Sequence, residues 1–381
     1  MRESFSGAFN GLTVLVTGQT GFKGSWLSLW LQALGANVIG YSLPPPTQPN
    51  NFILSDVATN MTSILGDIRD YNHVKKIIDE FQPAVIFHLA AQSIVLHGLE
   101  NSKDTFDTNV SGTINLLEAA MHCPSVKAMV IVTSDKCYAN QEWMWGYREN
   151  DHLGGLDPYS ASKSMAEIAI AAYRHSFCKN NKEAPAIASA RAGNVIGGGD
   201  FSCMRIVPDS IKSLRAKEPI LIRNPNSVRP WLYVLDALSG YLCLAANILL
   251  SRNVFAEAWN FGPLEHQAIT VHMLIEKIIA HWGNGKWLHA NPQECFSEMG
   301  LLRLNWDKAA NRLNWKPAYH WFEAIKHTVD WYKAYDSCRQ ANDTAEMHRV
   351  SINQIIDYTK RASHLGIPWA AFSEQSSFCL T

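Results

Sequence analysis

The chain has no surplus of either charge. Its 381 residues carry 33 lysines and arginines against 34 aspartates and glutamates, a formal net charge of −1 at pH 7. Such a balance gives no support to a nucleic-acid surface, and no nucleic acid is expected as a partner. Metal-site spacing is also missing. The eight cysteines, Cys123, Cys137, Cys178, Cys203, Cys243, Cys295, Cys338 and Cys379, are scattered, so no metal is expected. With no secretory segment to be read, they fit reduced thiols in a cytoplasmic protein. Apolar runs are too short or too interrupted to span a bilayer, so no membrane is expected. There are no repeats and no long low-complexity linker. What is left is an ordinary globular composition, 47% hydrophobic, long enough for a full core and a second lobe.

Against this plain background, strands and helices alternate. Thr13 to Thr17 is β-branched and barely alternates, as a strand buried on both faces does. A glycine-rich turn follows, Gly18-Gln19-Thr20-Gly21-Phe22-Lys23-Gly24. Then Trp26, Leu27, Leu29, Trp30, Leu31 and Leu34 make a helical apolar pattern closed by Gly35. Strands are expected at 38–41, 84–89, 128–133 and 187–192, with helices near 71–81 and 112–121. This alternation predicts an α/β fold, a Rossmann-type doubly wound parallel sheet covered on both faces. Past Gly197 the pattern loosens into short elements and loops such as Arg223-Asn224-Pro225, which suits a smaller, interleaved C-terminal substrate-binding lobe. The expected division is a dinucleotide-binding domain over 1–195 with returning segments near 231–262. The lobe takes 196–230 and 263–345. An extension over 359–381 is read as either a mobile tail or a strip packed on a partner. Ligands should sit at the carboxyl ends of the strands, between the lobes.

The glycines at 18, 21 and 24 permit a tight turn and close approach of backbone to a pyrophosphate. The helix behind them offers free N–H groups and a positive dipole end. Thr20, Phe22 and Lys23 share that turn and join the candidate cofactor contacts. A turn can need a glycine for φ alone, but the order strand, glycines, helix favours a dinucleotide. Asp67, in Gly66-Asp67-Ile68, is either an adenine contact or a solvated turn aspartate. Tyr41-Ser42-Leu43 ends the second strand with neither an acid nor an arginine, which leaves NAD and NADP both open.

Far downstream comes Tyr159-Ser160-Ala161-Ser162-Lys163. Four residues apart on a helix, Tyr159 and Lys163 share a face. A nearby ammonium favours phenolate, so the tyrosine's pKa is expected to fall from its usual ~10. The lysine can also hold the nicotinamide ribose. The same spacing occurs on any surface helix; the glycine turn upstream is what gives it weight. Ser134-Asp135-Lys136 directly follows an apolar strand. Ser134 can bond a substrate oxygen, Asp135 can act as an acid if burial raises its pKa, and Lys136 as a base if its own is lowered. A solvent-facing charged loop is the other reading.

Taken together, these segments resemble the extended short-chain dehydrogenase/reductases and, among them, the CDP-glucose 4,6-dehydratases. The residues that carry the likeness are Thr17 to Leu27, Thr133-Ser134-Asp135-Lys136-Cys137-Tyr138, Trp145 to Asp151, Asp157-Pro158-Tyr159-Ser160, Ala190 to Asp200 and Arg229-Pro230-Trp231. It runs from about Phe9 to Tyr358. The resemblance implies NAD as cofactor, CDP-glucose as substrate, a homodimer, and a place in making deoxysugars for bacterial surface polysaccharides such as O-antigen. By the same resemblance Tyr159 takes the proton of the sugar 4-hydroxyl, Lys136 removes the C5 hydrogen, Asp135 protonates the departing 6-hydroxyl and Ser134 steadies O4. Lys136 stands where related dTDP-glucose dehydratases carry glutamate. Ile68 and Leu89-Ala90-Ala91-Gln92 would line the cofactor, and Asn109 would fix either the nicotinamide side or the active-site backbone. Asn194, Arg205, Val207, Arg229 and Trp231 are the candidate substrate contacts. A nucleotide-sugar epimerase and a non-catalytic NAD-binding protein are the competing readings.

The likeness breaks in two places. Where the family has proline, a basic pair, serine and tyrosine after the glutamine, this chain reads Ser93-Ile94-Val95-Leu96-His97-Gly98-Leu99. Where it has a tryptophan-rich turn and an acid before the arginine, this chain reads Phe201-Ser202-Cys203-Met204-Arg205. Both segments are expected to touch substrate.

Overall fold

The computed structural model describes residues 1–371 except 180, 182, 265–268, 291–299, 340 and 342. Cys295, Cys379 and residues 372–381 of the expected extension lie outside the described residues. Six strands alternate with helices: β1 (Thr13–Thr17), β2 (Asn37–Ser42), β3 (Thr62–Leu65), β4 (Val85–His88), β5 (Ala128–Val132) and β6 (Ala186–Ala192). Five more follow: β7 (Val195–Ile196), β8 (Ile220–Ile222), β9 (Leu232–Tyr233), β10 (Ala258–Phe261) and β11 (Trp287–His289). The main sheet has seven strands in the order β10-β6-β5-β4-β1-β2-β3, and every pairing in it is parallel. The chain winds outward from β1 to β3, then returns to β4 on the far side of β1. That reversal opens a crevice beyond the carboxyl ends of β1 and β4.

The strands read as continuous apolar runs because the sheet is covered on both sides. Val14 and Val16 face one core while Leu15 faces the other; Phe87 and Ile86, or Val130 and Ile131, divide the same way. The helix Phe22–Ala33 covers one face with its neighbour Val234–Ser251. Among the described residues this second helix alone is long and apolar enough to cross a membrane, where every apolar run was expected to be too short or too interrupted. Most of it is buried on β5 and β6, which accounts for its composition. The helices Tyr71–Phe81, Gly112–Met121 and Pro158–Tyr173 lie on the other face.

Beyond β6 the chain leaves and re-enters the large body. β7 pairs with β9, and β8 with β11, while β10 returns to the edge of the main sheet beside β6. The helix Thr344–His364 runs straight across the expected start of the extension. Trp369 then stacks on Phe5, with ring centroids 4.6 Å apart and planes 6° apart. The described part of that segment packs on the chain's own N-terminal turn. It straps the N-terminal turn to the body.

Candidate active site

The glycine turn closes on its neighbours so tightly that side chains have no room. Gly18 has φ +77°, and a Cβ there would stand 2.7 Å from the nitrogen of Ala90, just past β4. A Cβ at Gly24 would lie 2.0 Å from the carbonyl oxygen of Gly18. Gly21 precedes the helix Phe22–Ala33 and no side chain caps it, so the helix's positive end is left open for an anion. Thr20 braces the turn against the end of β2, its hydroxyl 2.5 Å from Ser42 Oγ and donating to the Leu43 carbonyl at 2.9 Å. These features fit a dinucleotide pyrophosphate. Phe22 lies near Gly197, its ring 3.1 Å from where a Cβ there would stand. Ile68 is buried against Gly112, where a Cβ would meet it at 2.6 Å. Asp67 is held by Arg69, whose Nε donates to both carboxylate oxygens at 3.0 and 2.9 Å. That bonding keeps its pKa below the usual range, and an adenine amine would have to share the carboxylate with the guanidinium.

Leu89, Ala90 and Ala91 carry the chain past Gly18 to Gln92. There Asn109, fully buried, does the work of fixing backbone: its Oδ1 accepts from Gln92 N–H, and its Nδ2 donates to the Gln92 carbonyl and to Ser162 Oγ, each at 2.9 Å. Ser162 in turn donates to the carbonyl of Tyr159 at 2.7 Å. The segment after β4 is thus clamped to the helix that carries Tyr159.

That helix, Pro158–Tyr173, starts cleanly. Asp157 accepts the Ser160 N–H at 3.0 Å and Pro158 occupies the first turn. Tyr159, Lys163 and Glu167 follow at one-turn intervals, all buried. Burial drives the Lys163 ammonium down to about 8, against the pull of Glu167. The Tyr159 phenol is pushed up to about 12, first by burial and then by Asp135 and Asp157, with Ser134 and Arg205 opposing. The expected fall in the tyrosine's pKa is therefore reversed: loss of hydration outweighs the neighbouring charges.

The triplet after β5 forms a short turn, Asp135–Cys137, with Ser134 as its cap. Ser134 Oγ faces the Tyr159 phenol, donates to Asp135 Oδ1 at 3.0 Å and accepts from Lys136 N–H at 3.2 Å. Asp135 is 2% exposed, and its Oδ2 has no hydrogen-bond partner among the described residues. Burial raises its pKa, only partly offset by Lys136, Ser134 and Arg229. Lys136 is half-buried beside it.

The candidate substrate contacts do not form one cluster. Arg229 and Trp231 line a cavity of about 280 Å³ together with Trp145, Arg303, Trp306 and Trp321. Arg229 also donates to the carbonyls of Val228 and Gly300 at 2.9 and 3.2 Å, and Trp231 to that of Ile269 at 3.2 Å. Asn194 sits just before β7, its carbonyl accepting Leu232 N–H at 3.0 Å. Val207 joins the hydrophobic core. Arg205 stands apart from that cavity, on the Tyr159 side.

Glu167 and Tyr241 escaped the sequence reading, whereas Lys23 was among the expected cofactor contacts. Glu167 binds Arg191 at 2.7 Å and accepts the hydroxyls of Thr133 and Ser189. Its place one turn past Lys163 was the available signal. Lys23 lies among Lys163, Arg205, Asp135 and Asp200, its ammonium lowered to about 7 by burial first and the two cations next. It stands 5.9 Å above the ring of Tyr241, which is buried with its hydroxyl unpartnered among the described residues. Tyr241 lies in an apolar helix and no motif marks it.

The family model described as GDP-mannose 4,6 dehydratase matches residues 15–328, from β1 to the helix Trp321–Cys338. The chain belongs to that family. It is 44% identical to a CDP-glucose 4,6-dehydratase of Salmonella typhimurium over 331 residues, covering 86% of this chain and 92% of that one. A dTDP-glucose 4,6-dehydratase of Xanthomonas campestris is 27% identical over 84% of this chain and 93% of its own. Among solved structures, UDP-glucose 4-epimerase of Thermotoga maritima superposes with a TM-score of 0.73 at 21% identity, over 84% of this chain and 99% of that one. The NAD complex of Bacillus anthracis dTDP-glucose 4,6-dehydratase gives 0.70 at 24% identity, over 85% and 97%. At those identities the family's fold is what the superpositions share.

Proposed function

We propose that this family member is an NAD-dependent CDP-glucose 4,6-dehydratase, a hydro-lyase that converts CDP-glucose to CDP-4-dehydro-6-deoxyglucose and water. The observation that carries the reading is the buried Asp135 carboxyl with its unpartnered Oδ2, one hydroxyl away from Tyr159. Burial raises its pKa and so favours the protonated form, which suits it to give up a proton beside the proton-accepting Tyr159. An epimerase needs no acid for a departing C6 oxygen. The likeness to the Salmonella enzyme names the sugar nucleotide.

Tyr159 accepts the proton of the sugar 4-hydroxyl, and Ser134 bonds O4 and shares that proton. Once C4 is a ketone, the C5 hydrogen is acidic; Lys136 removes it while Asp135 protonates O6, and water leaves across C5 and C6. NAD, when bound, would supply a hydride acceptor for C4 and the donor for C6, so no net oxidant would be consumed. The residues that would hold it are the turn Gly18–Gly24, the segment Leu89–Gln92 with its brace Asn109, and Lys163 at the ribose, with Asp67 and Ile68 on the adenine side. Residues 196–230 and 263–345 take the nucleotide-sugar, with Asn194, Arg205 and Arg229 toward its diphosphate, Trp231 toward the base, and Val207 backing them. The enzyme acts in the cytoplasm as a homodimer. Ile114, Met165, Ile168 and Phe177, exposed along the helices flanking the site, suit a second copy.

Purified protein is incubated with CDP-glucose and with its UDP, GDP and dTDP counterparts, and products are identified by mass and sugar NMR. Selective loss of water from CDP-glucose is expected. Epimerised sugar with C6 oxygen intact would favour the epimerase reading.

A further inference from the structure

Arg205 joins two loops that sequence places far apart. One guanidinium nitrogen donates to Asp200 Oδ2 at 2.9 Å and the other to Ser93 Oγ at 2.8 Å. Asp200 is anchored in the core, where Tyr332 donates to its carbonyl and its Oδ1 accepts Ser202 N–H at 3.0 Å. Ser93 is fixed from the other side. Gln92 spends its side chain on Thr105 at 2.8 Å and on Ile94 N–H at 2.5 Å. Five residues on, Gly98 presses against Tyr159, with room of only 3.4 Å between an added Cβ and the tyrosine's own. The residue before Arg205, Met204, has φ +64°, a left-handed turn that is unfavourable for a residue with a side chain. Ser93 and Met204 belong to the two segments where the family likeness breaks.

We propose that Ser93 and Asp200 form a clasp that holds the Arg205 guanidinium toward the Tyr159 phenol, making Arg205 a positioning and charge-setting residue for the proton-accepting step. It is not simply a phosphate anchor. Among the described residues, the groups that act on the Tyr159 phenol are Ser134 and Asp135 from the turn after β5, Asp157 from the cap of its own helix, and Arg205. Tyr241 couples to it from the helix Val234–Ser251 with Lys23 over its ring, and Lys163 lies one turn further along the helix of Tyr159. Asp135 and Asp157 disfavour phenolate; of the cations, Arg205 acts on the phenol from the substrate side and is held there by residues of both loops. A proline at 93 would have no hydroxyl to accept its bond.

The role at the phenol rests on the dehydratase reading, but the clasp itself does not. Hydrogen–deuterium exchange on the full chain compares wild type with Ser93→Ala. Faster exchange in both 92–100 and 200–206 is expected, because one bond ties them; unchanged exchange at 200–206 overturns the clasp. In CDP-glucose turnover, Ser93→Ala should lower kcat about three- to tenfold with little change in KM, and Arg205→Gln should lower kcat more strongly while also raising KM through its diphosphate contact. Both should move the acid limb of the pH profile to higher pH, with Arg205→Lys restoring part of the shift. A raised KM with kcat and pH profile unmoved would make Arg205 an ordinary phosphate contact and sink the proposal. Exchange that responds as expected in a protein that dehydrates no nucleotide-sugar supports the clasp and condemns the functional reading alone.

Discussion

Glu167 and Arg191 form a 2.7 Å ion pair with side chains 2% and 4% exposed, one helical turn beyond Lys163. Arg191 also donates to Tyr138 Oη at 2.8 Å and to the Glu149 carbonyl at 2.9 Å, and Tyr138 passes the network on to Asn260 of β10 at 2.7 Å. Thr133, bonded to the same carboxylate, is the residue before Ser134. The pair therefore fixes the helix of Tyr159, the turn of Asp135 and the returning strand against one another. Removing one member strands a buried charge, so Glu167→Ala and Arg191→Ala should each cost about 3–5 kcal/mol in urea unfolding. Glu167→Gln should cost less, and without the carboxylate Lys163 should bind the cofactor ribose more weakly, read as a raised Kd for NAD. An unchanged unfolding midpoint in the alanine variants would show that the network carries no load.

Asp135 trades stability for chemistry. Burial holds its carboxyl above its ordinary value of 3.8, so the folded chain binds that proton more tightly than the unfolded one. The contribution to stability is greatest below the unfolded pKa and is lost as pH rises through the folded one. Asp135→Asn carries no such charge. Its Tm should exceed that of wild type at pH 7, with the gap closing as pH falls toward 4. Dehydration should drop by about 10²- to 10⁴-fold while C4 oxidation persists, leaving reduced nicotinamide visible by absorbance. A variant less stable than wild type at neutral pH would mean that Lys136 and Arg229 outweigh burial.

Most of the sheet was legible in the sequence because a parallel sheet covered on both faces writes itself as short apolar runs between helices. Val85 to His88 and Ala128 to Val132 are wholly buried, and their short length between helical patterns sets them apart from a long buried apolar helix such as Val234–Ser251. The site was legible where spacing does the work, as in Gly18 to Gly24 or in Tyr159 and Lys163 on one helical face. It was illegible where long-range packing decides. Tyr159 and Lys163 were expected to be coupled chiefly to each other, but their titration is governed by burial, which no local motif reports. Tyr241 reaches the site from an apolar helix more than 80 residues away. The tie from Arg205 to Ser93 spans 112 residues, and only the fold brings those loops together.

Gly24 tests the cofactor turn with a single methyl group. A Cβ there would sit 2.0 Å from Gly18 O and 2.8 Å from Gln19 Cα, and all of these neighbours are backbone. The turn cannot yield by rotating a side chain; it must open. Gly24→Ala should lower NAD affinity by at least about tenfold, the equivalent of ~1.4 kcal/mol, and destabilise the chain as well. Gly21→Ala makes a matched control, since its Cβ would meet only Gly18 O at 3.4 Å. An NAD affinity of Gly24→Ala equal to that of wild type would show that the close approach at Gly24 has no bearing on the cofactor.

The strap formed by Phe5 and Trp369 predicts that the C-terminal residues belong to the folding unit. Trp369 is 6% exposed, stacks on Phe5 and on Tyr358, and meets Trp30 edge-on at 5.8 Å. Deleting that ring leaves a cavity among aromatic side chains, so Trp369→Ala should cost about 3–5 kcal/mol. The indole N–H has no partner among the described residues, an unfavourable burial that phenylalanine removes. Trp369→Phe should accordingly retain most of the stability. A chain ended after Tyr358 loses the last turns of the helix Thr344–His364 as well as the strap. Its denaturation midpoint should fall below that of Trp369→Ala. If the shortened chain instead unfolds at the same denaturant concentration as the full one, the strap is only a surface contact and the folding unit ends at the helix.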